Sequence, residues 1–142
     1  MWERGELTAT ELTEWSFLVA ATGRAMLEVL PVLQGGCINY WEAGNWALHD
    51  DAEPRGPKTA PEHRGVHLHL LGRSRNAVSP AWRWGEAPAF PRFADRHEWA
   101  SGFKRLNADE CRAIVRRAIE LLETKYGIAA KATELPKCAE CR

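Results

Sequence analysis

The sequence predicts an α+β domain in which an antiparallel sheet packs against two helices, and two observations support this fold class. Two stretches open on a capping box and continue with apolar residues three and four positions apart, which is typical of amphipathic helices. Residues 63–73 instead alternate apolar and other side chains, which indicates a strand with one buried face. We therefore expect a sheet containing residues 37–48 and 63–73, packed against the helix that begins near Thr10.

The length and charge of the chain limit what it can be. Its 142 residues correspond to one domain, which we place at residues 1–128, followed by a C-terminal tail at residues 129–142. The 19 lysines and arginines balance 19 aspartates and glutamates, so no broad basic field favours nucleic acid or a membrane surface. No apolar run approaches about 18 residues, no signal-peptide pattern opens the chain, and four scattered cysteines make no disulfide framework. These features predict a cytoplasmic protein that binds neither nucleic acid nor a membrane.

Both predicted helices have clear starts. Thr8 to Glu11 form the first capping box, in which each side chain takes up a backbone amide that the first turn leaves unpaired. The apolar stripe that follows is expected to be buried along its whole length: Leu12, Trp15, Leu18, Val19, Thr22, Ala25, Met26, Val29 and Leu30. Asn107 to Glu110 form the second capping box, and Gly127 is predicted to end that helix.

Residues 63–73 carry the most informative chemistry. In a strand, His63, Gly65, His67 and His69 share one face, while the apolar residues between them share the other. Neighbouring neutral imidazoles suit nucleophilic attack, proton transfer or metal binding, because each ring has one nitrogen to act and one to be oriented. The alternative is a strand whose exposed face simply carries histidines.

The segments outside the two helices and the histidine strand are predicted to be a strand, a loop and an ordered aromatic stretch. Residues 37–41 have the β-branched and aromatic content of a strand, and residues 50–62, with three prolines, form a loop that is either a lid or a tolerated insertion. Residues 74–105 follow neither period but are too aromatic to be disordered. We expect this segment to cover the core or to offer a flat platform for a base. We interpret Arg73 and Arg75 as a solvated strand end, with contact to a phosphate as the alternative.

Residues 66–73, which read VHLHLLGR, resemble the later part of the signature of the histidine triad nucleotide hydrolases and transferases, His-φ-His-φ-His-φ-φ with φ apolar. A helix, a Gly-Gly break, a strand holding Asn39 and the turn Gly44-Asn45-Trp46 come before it in the order of that family. The resemblance covers roughly residues 7–74. It implies the sheet and helices of the histidine triad fold, a nucleotide as the small-molecule partner, and a homodimer.

The resemblance also implies roles for individual residues. His67 would be the nucleophile that forms a nucleotidyl-histidine with the α-phosphorus, and His69 would help to protonate or orient the leaving group. The residues that would bind the nucleotide or its phosphates are Asn39, Gly44, Asn45 and Trp46. The implied substrate is a dinucleoside polyphosphate, such as a diadenosine polyphosphate, or a nucleoside phosphoramidate. This chemistry requires no cofactor, although a divalent metal ion can accompany the nucleotide.

The sequence departs from the family in two ways. The first histidine of the triad falls on Gly65, and the sequence leaves open whether His49 or His63 substitutes for it. The strands that normally precede the first helix have no counterpart, so either the sequence begins late or the aromatic segment replaces them. Both departures favour the alternative of a non-catalytic nucleotide-binding module of the same fold. A protein that only binds partners through its tryptophans would leave the histidines unexplained.

Metal binding is the competing chemistry. Cys138 and Cys141 have the spacing of a zinc half-site that His97 or Cys111 would complete, but a frayed tail is the simpler interpretation. A metal bound by His67 and His69 is a further alternative.

Overall fold

The computed structural model describes residues 3–42 and 45–129, without the side chain of Asn45, and has a mixed α+β architecture. The described elements are, in chain order, helix α1 (Ala9–Val29), strand β1 (Cys37–Trp41), helix α2 (Ala60–His63), strand β2 (His69–Arg73), helix α3 (Arg96–Ser101) and helix α4 (Ala108–Tyr126). The two strands pair antiparallel. None of the helices in these ranges has the length and apolar content needed to cross a membrane.

Both long helices begin at the predicted capping boxes. The Thr8 hydroxyl accepts the backbone N–H of Glu11 at 3.3 Å, and the Glu11 carboxylate accepts the backbone N–H of Thr8 at 2.8 Å. Asn107 and Glu110 repeat the exchange at the start of α4, with both bonds at 2.9 Å. Gly127 ends α4 with a φ of 66°, a left-handed conformation that glycine adopts without a Cβ clash. The sequence predictions for these helix ends are confirmed.

The core lies between α4 and the second half of α1. Its buried side chains are Ala21, Ala25, Met26, Leu30, Leu33, Ile114, Ala118 and Leu121. The prediction that the whole α1 stripe is buried is wrong, because Leu12 is 40% exposed and Leu18 is 51% exposed. The last residue of α4, Tyr126, contacts Phe17 with ring centroids 5.2 Å apart, so the first two turns of α1 extend beyond their helical partner.

The sheet packs on α1 through the face that carries Ile38 and Leu70, both of which contact the core. Gly72 lies close to Leu33: a Cβ at this position would be 2.6 Å from Cδ1 of Leu33, so the leucine side chain would have to shift. Leu68, which precedes β2, lies in a depression beside Trp15 of α1. The predicted apolar face is therefore the one that meets the helix.

The predicted strands are too long. β2 covers only residues 69–73, and residues 60–63 form α2, so His63 does not lie on the histidine face of a strand as predicted. β1 likewise ends at Trp41, and residues 45–48 form a 3-10 turn. Because Trp41 is the partner of His69, the residues before His69 have no strand opposite them to pair with. The alternation nevertheless continues backwards from β2, since Gly65 and His67 are exposed while Val66 and Leu68 are half-buried.

The aromatic segment covers one end of the sheet. Trp82 is buried at its centre, with ring contacts to Phe90, Trp99 and Phe103. The prediction of a solvated Arg73 is wrong: the residue is 4% exposed, and its guanidinium lies 4.8 Å from the centroid of the Trp82 ring. Nη1 of Arg73 donates to the backbone carbonyls of Arg83 and Glu86, at 3.0 and 2.6 Å. These contacts attach the segment to the end of β2.

Candidate functional site

The candidate site lies on the sheet face that points away from α1. The register places three residues of each strand on this face, with Trp41 opposite His69 and Asn39 opposite Leu71. Asn39 is therefore next to the Trp41 and His69 pair along the sheet, as the sequence predicts for a residue near the site. Its side-chain amide lies 3.9 Å from the sulfur of Cys37, an ordinary weak contact.

His67 and His69 are adjacent and both are exposed. Their ring centroids lie 4.9 Å apart with the planes at 77°, an edge-to-face arrangement. His69 belongs to β2, whereas His67 lies in the extended stretch just before it and keeps the same alternation. The structure therefore brings together the two histidines that the sequence singles out.

The hydrogen bond of His67 determines which tautomer its neutral ring adopts. Nδ1 lies 2.7 Å from the backbone carbonyl oxygen of Gly65. Because a carbonyl oxygen can only accept, Nδ1 carries the proton and the lone pair of the neutral ring is on Nε2. None of the described residues hydrogen-bonds Nε2. An exposed, neutral imidazole with an available Nε2 is the form that a nucleophile requires.

The neighbours of His69 favour its neutral form. Partial burial lowers the pKa of His69 below its ordinary value of 6.5, and the charge of a protonated His67 lowers it further. His69 is therefore neutral near pH 7 and has one N–H to donate. A neutral ring beside His67 also avoids repulsion between two cationic imidazoles.

Three aromatic rings form the wall of the site. Trp41 stacks on Phe90 with centroids 3.9 Å apart and meets the ring of His69 at 5.3 Å. The 3-10 turn at residues 45–48 places Trp46 edge-on to Trp41 at 5.8 Å, so this predicted residue does reach the site. Flat indole and phenyl rings are the surfaces on which nucleobases stack.

Trp41 and Phe90 are site residues that the sequence did not single out. A signal for Trp41 was available, because it follows Asn39 by two positions and therefore shares its strand face. For Phe90 the only signal was its place in residues 74–105, which the sequence predicts to be either a cover of the core or a platform for a base. Phe90 comes from a segment without periodicity and reaches Trp41 only through tertiary packing.

The two candidate substitutes for the first histidine lie elsewhere. The His49 ring stacks on Phe93 with centroids 4.0 Å apart, and its Nδ1 accepts the backbone N–H of Asp51 at 3.2 Å. Nδ1 of His63 lies 3.2 Å from the carbonyl oxygen of Thr59 within the α2 region. Within the described ranges, neither ring contacts His67 or His69. Substitution by either residue stays a prediction.

Some predicted residues fall outside what the structure describes. These are Gly44, the side chain of Asn45, and both Cys138 and Cys141. His97 lies on α3 and Cys111 on α4, and the described side chains include no group of three or more histidine, cysteine, aspartate or glutamate residues that would hold a metal ion. The zinc half-site stays a prediction.

Comparison of the chain with protein-family models, with curated proteins and with solved structures finds no match. The class that the fold and the site define is a mixed α+β domain with two exposed, adjacent histidines beside an aromatic wall.

Proposed function

We propose that this protein is a nucleotide hydrolase or nucleotidyl transferase that acts on the α-phosphate of a nucleoside phosphate through a nucleotidyl-histidine on His67. The observation that carries the proposal is the 2.7 Å hydrogen bond from Nδ1 of His67 to the carbonyl oxygen of Gly65, which leaves the lone pair on Nε2. The resemblance of residues 66–73 to the histidine triad signature supports the reaction type. We propose a dinucleoside polyphosphate or a nucleoside phosphoramidate as the substrate class.

In the first step, Nε2 of His67 attacks the α-phosphorus. The N–P bond forms while the bond from phosphorus to the leaving group breaks, and the leaving group keeps the electron pair. The imidazole becomes cationic, and the Gly65 carbonyl stabilises this charge because its hydrogen bond to Nδ1 strengthens. His69, whose ring centroid lies 4.9 Å from that of His67, donates a hydrogen bond from its single N–H to the leaving group and keeps its proton. The leaving group takes up a proton from solvent.

In the second step, a water molecule attacks the same phosphorus. The new O–P bond forms, the N–P bond breaks, and one proton of the water is released to solvent. His67 returns to its neutral form with the proton still on Nδ1. An alcohol or phosphate acceptor in place of water gives nucleotidyl transfer, and splitting the displacement into two steps is the usual gain of covalent catalysis.

The rest of the site contributes binding. We propose that the base packs against the wall formed by Trp41, Trp46 and Phe90, next to the reacting His67. The side-chain amide of Asn39 is on the same sheet face and donates to a ribose or phosphoryl oxygen.

Trapping the intermediate tests the proposal. The protein is mixed with diadenosine polyphosphate or adenosine phosphoramidate and denatured in alkali, because a phosphorus–nitrogen bond to histidine hydrolyses in acid. Peptide mass spectrometry is expected to find one adenylyl group on His67. His97→Ala removes an exposed histidine of α3 and is the matched control, in which the adduct persists. Nucleotide release without any adduct on His67 would contradict the mechanism.

The second candidate is a non-catalytic nucleotide-binding module, which the glycine at the first triad position favours. In that case adenosine nucleotides quench the tryptophan fluorescence, but chromatography detects no nucleotide release. The two measurements together separate an enzyme from a binding module.

A further inference from the structure

A groove of about 510 Å³ runs beside β2, away from the histidines. Three consecutive β2 residues line it: Leu70, Leu71 and Gly72. The side chains of Leu70 and Leu71 point to opposite faces of the sheet. A single groove that contacts both therefore lies along the edge of β2 that does not face β1.

Apolar walls stand on both sides of this strand edge. The end of α1 and the turn after it contribute Leu30 and Leu33, and the aromatic segment contributes Trp82 and Phe103. Val78, on the rim, is 91% exposed. The edge is thus recessed between two apolar surfaces instead of lying at the outside of the molecule.

The backbone of β2 has unused hydrogen-bonding capacity along the groove. In the described chain, β2 pairs only with β1. Alternate residues of an antiparallel edge strand direct their N–H and C=O groups away from the partner strand. Outside the β1–β2 ladder, no described backbone group hydrogen-bonds the N–H or C=O groups of residues 70–72. A purely apolar ligand would bury these groups unpaired, which is unfavourable. An extended peptide would pair with them.

The charge at one end of the groove restricts the peptide further. Lys104 and Arg105 both line it. Lys104 is neutralised by an ion pair with Glu110 at 2.6 Å, whereas Arg105 makes no hydrogen bond or ion pair with any residue in the described ranges. The groove therefore has one uncompensated positive charge, which favours an acidic side chain in the occupant.

We propose that this groove binds an extended peptide segment of a partner protein, which adds to β2 as a third strand. Successive side chains of the segment contact the two walls in turn, and an acidic side chain lies near Arg105. A second copy of β2 is not the occupant, because its own edge is recessed in the same way and two recessed edges do not meet. The proposal is independent of the chemistry at His67.

Amide hydrogen exchange, followed by NMR, tests the strand edge directly. In the protein alone, alternate amides of residues 70–72 are expected to exchange fast, since they lack partners. The probe is a capped heptapeptide of alternating threonine and valine that ends in glutamate. Its addition is expected to protect those same amides. Fast exchange that persists while the peptide is bound overturns the proposal, as does absence of binding at millimolar peptide.

Two modified peptides separate backbone pairing from apolar contact and from charge. Methylation of two consecutive central N–H groups blocks both edges of the peptide and is expected to abolish binding. Replacing the terminal glutamate by lysine is expected to weaken binding about two- to fivefold, the size of one exposed ion pair. If the methylated peptide binds as well as the parent, the groove takes an apolar ligand and the strand-addition proposal is wrong.

Matched arginine variants complete the experiment. Arg105→Glu is expected to reverse the preference between the glutamate and lysine peptides. Arg116→Glu makes the same charge change at an exposed position of α4 outside the groove, and is expected to leave the preference unchanged. Equal effects of the two variants would overturn the acidic part of the proposal. A different result would also overturn the proposal of a partner peptide. If the amides of residues 70–72 are protected in the protein alone and lose this protection on dilution, the occupant of the groove is a second copy of the chain.

Discussion

Trp41 and His69 are cross-strand partners at the end of the two-stranded sheet, and their ring centroids lie 5.3 Å apart. This pair is the last one in the ladder, so the chain before His69 leaves the sheet and presents His67 to solvent. The indole contacts the His69 ring, and partial burial of that ring is the largest cause of the lowered pKa of His69. We therefore expect Trp41 to contribute to the lowered pKa of His69, next to the proposed nucleophile.

Replacing Trp41 by alanine is expected to raise the pKa of His69 towards 6.5, because the ring regains solvent. The same variant is expected to bind nucleotide more weakly. NMR titration of the histidine ring signals measures the first effect. Trp84→Ala, which removes a partly exposed tryptophan that contacts Arg75, is the control. An unchanged His69 pKa in Trp41→Ala would contradict this explanation.

His67→Ala is expected to abolish nucleotide release, with a loss of several orders of magnitude or roughly 5 kcal/mol of barrier. His69→Ala is expected to slow the reaction less, since His69 assists the leaving group and forms no bond to phosphorus. Thermal unfolding should be unchanged in His67→Ala because the side chain is exposed. Steady-state rates are compared with those of His97→Ala. A His67→Ala protein within about tenfold of the wild-type rate would refute covalent catalysis.

The lowered pKa of His69 predicts how stability depends on pH. As the pH falls below about 6.5, the unfolded chain takes up a proton at this residue before the folded protein does. The contribution of His69 to stability is therefore present above the unfolded pKa and is lost as the pH falls towards the folded one. Urea unfolding at about pH 7.5 and pH 5.5 should show a larger loss for the wild type than for His69→Gln. Equal losses of stability in the wild type and in His69→Gln would count against the lowered pKa of His69.

Two leucines of the α1 stripe should differ in their effect on stability. Leu30 is buried in the core, so Leu30→Ala is expected to cost about 2–4 kcal/mol of unfolding free energy through lost burial and a cavity. Leu18 is half exposed, and Leu18→Ala should cost less than about 1 kcal/mol. Urea denaturation measures both. If Leu18→Ala and Leu30→Ala lower the unfolding free energy by similar amounts, the side chain of Leu18 is buried in solution.

The homodimer implied by the resemblance remains a prediction, and the exposed residues Leu12, Leu18 and Tyr40 are the ones through which we expect it to form. Burying such a surface against a second copy is favourable. Sedimentation at micromolar concentration is expected to show a dimer, and Leu18→Glu is expected to shift it to a monomer. Glu14→Gln changes a nearby exposed residue of the same helix and should have no effect. A monomeric wild-type protein would count against the dimer.

The sequence by itself determined the features that depend on neighbours a few residues away. Each capping box closes its hydrogen bonds within four residues, so the helix starts at Thr8 and Asn107 were readable directly. The alternation of residues 65–70 and the left-handed Gly127 are local in the same sense. The hydrogen bond of His67 is equally local, because it joins the ring to a carbonyl only two residues away.

Only the tertiary structure decided how far each element extends and which surfaces are covered. β2 begins at His69 because its partner strand β1 ends at Trp41. The buried part of α1 is limited by the end of α4 at Tyr126. Arg73 was buried by Trp82 from a segment without periodicity, and the same segment brought Phe90 to Trp41. The physical reason is that these contacts join residues far apart in the chain, so no local pattern of side chains specifies them.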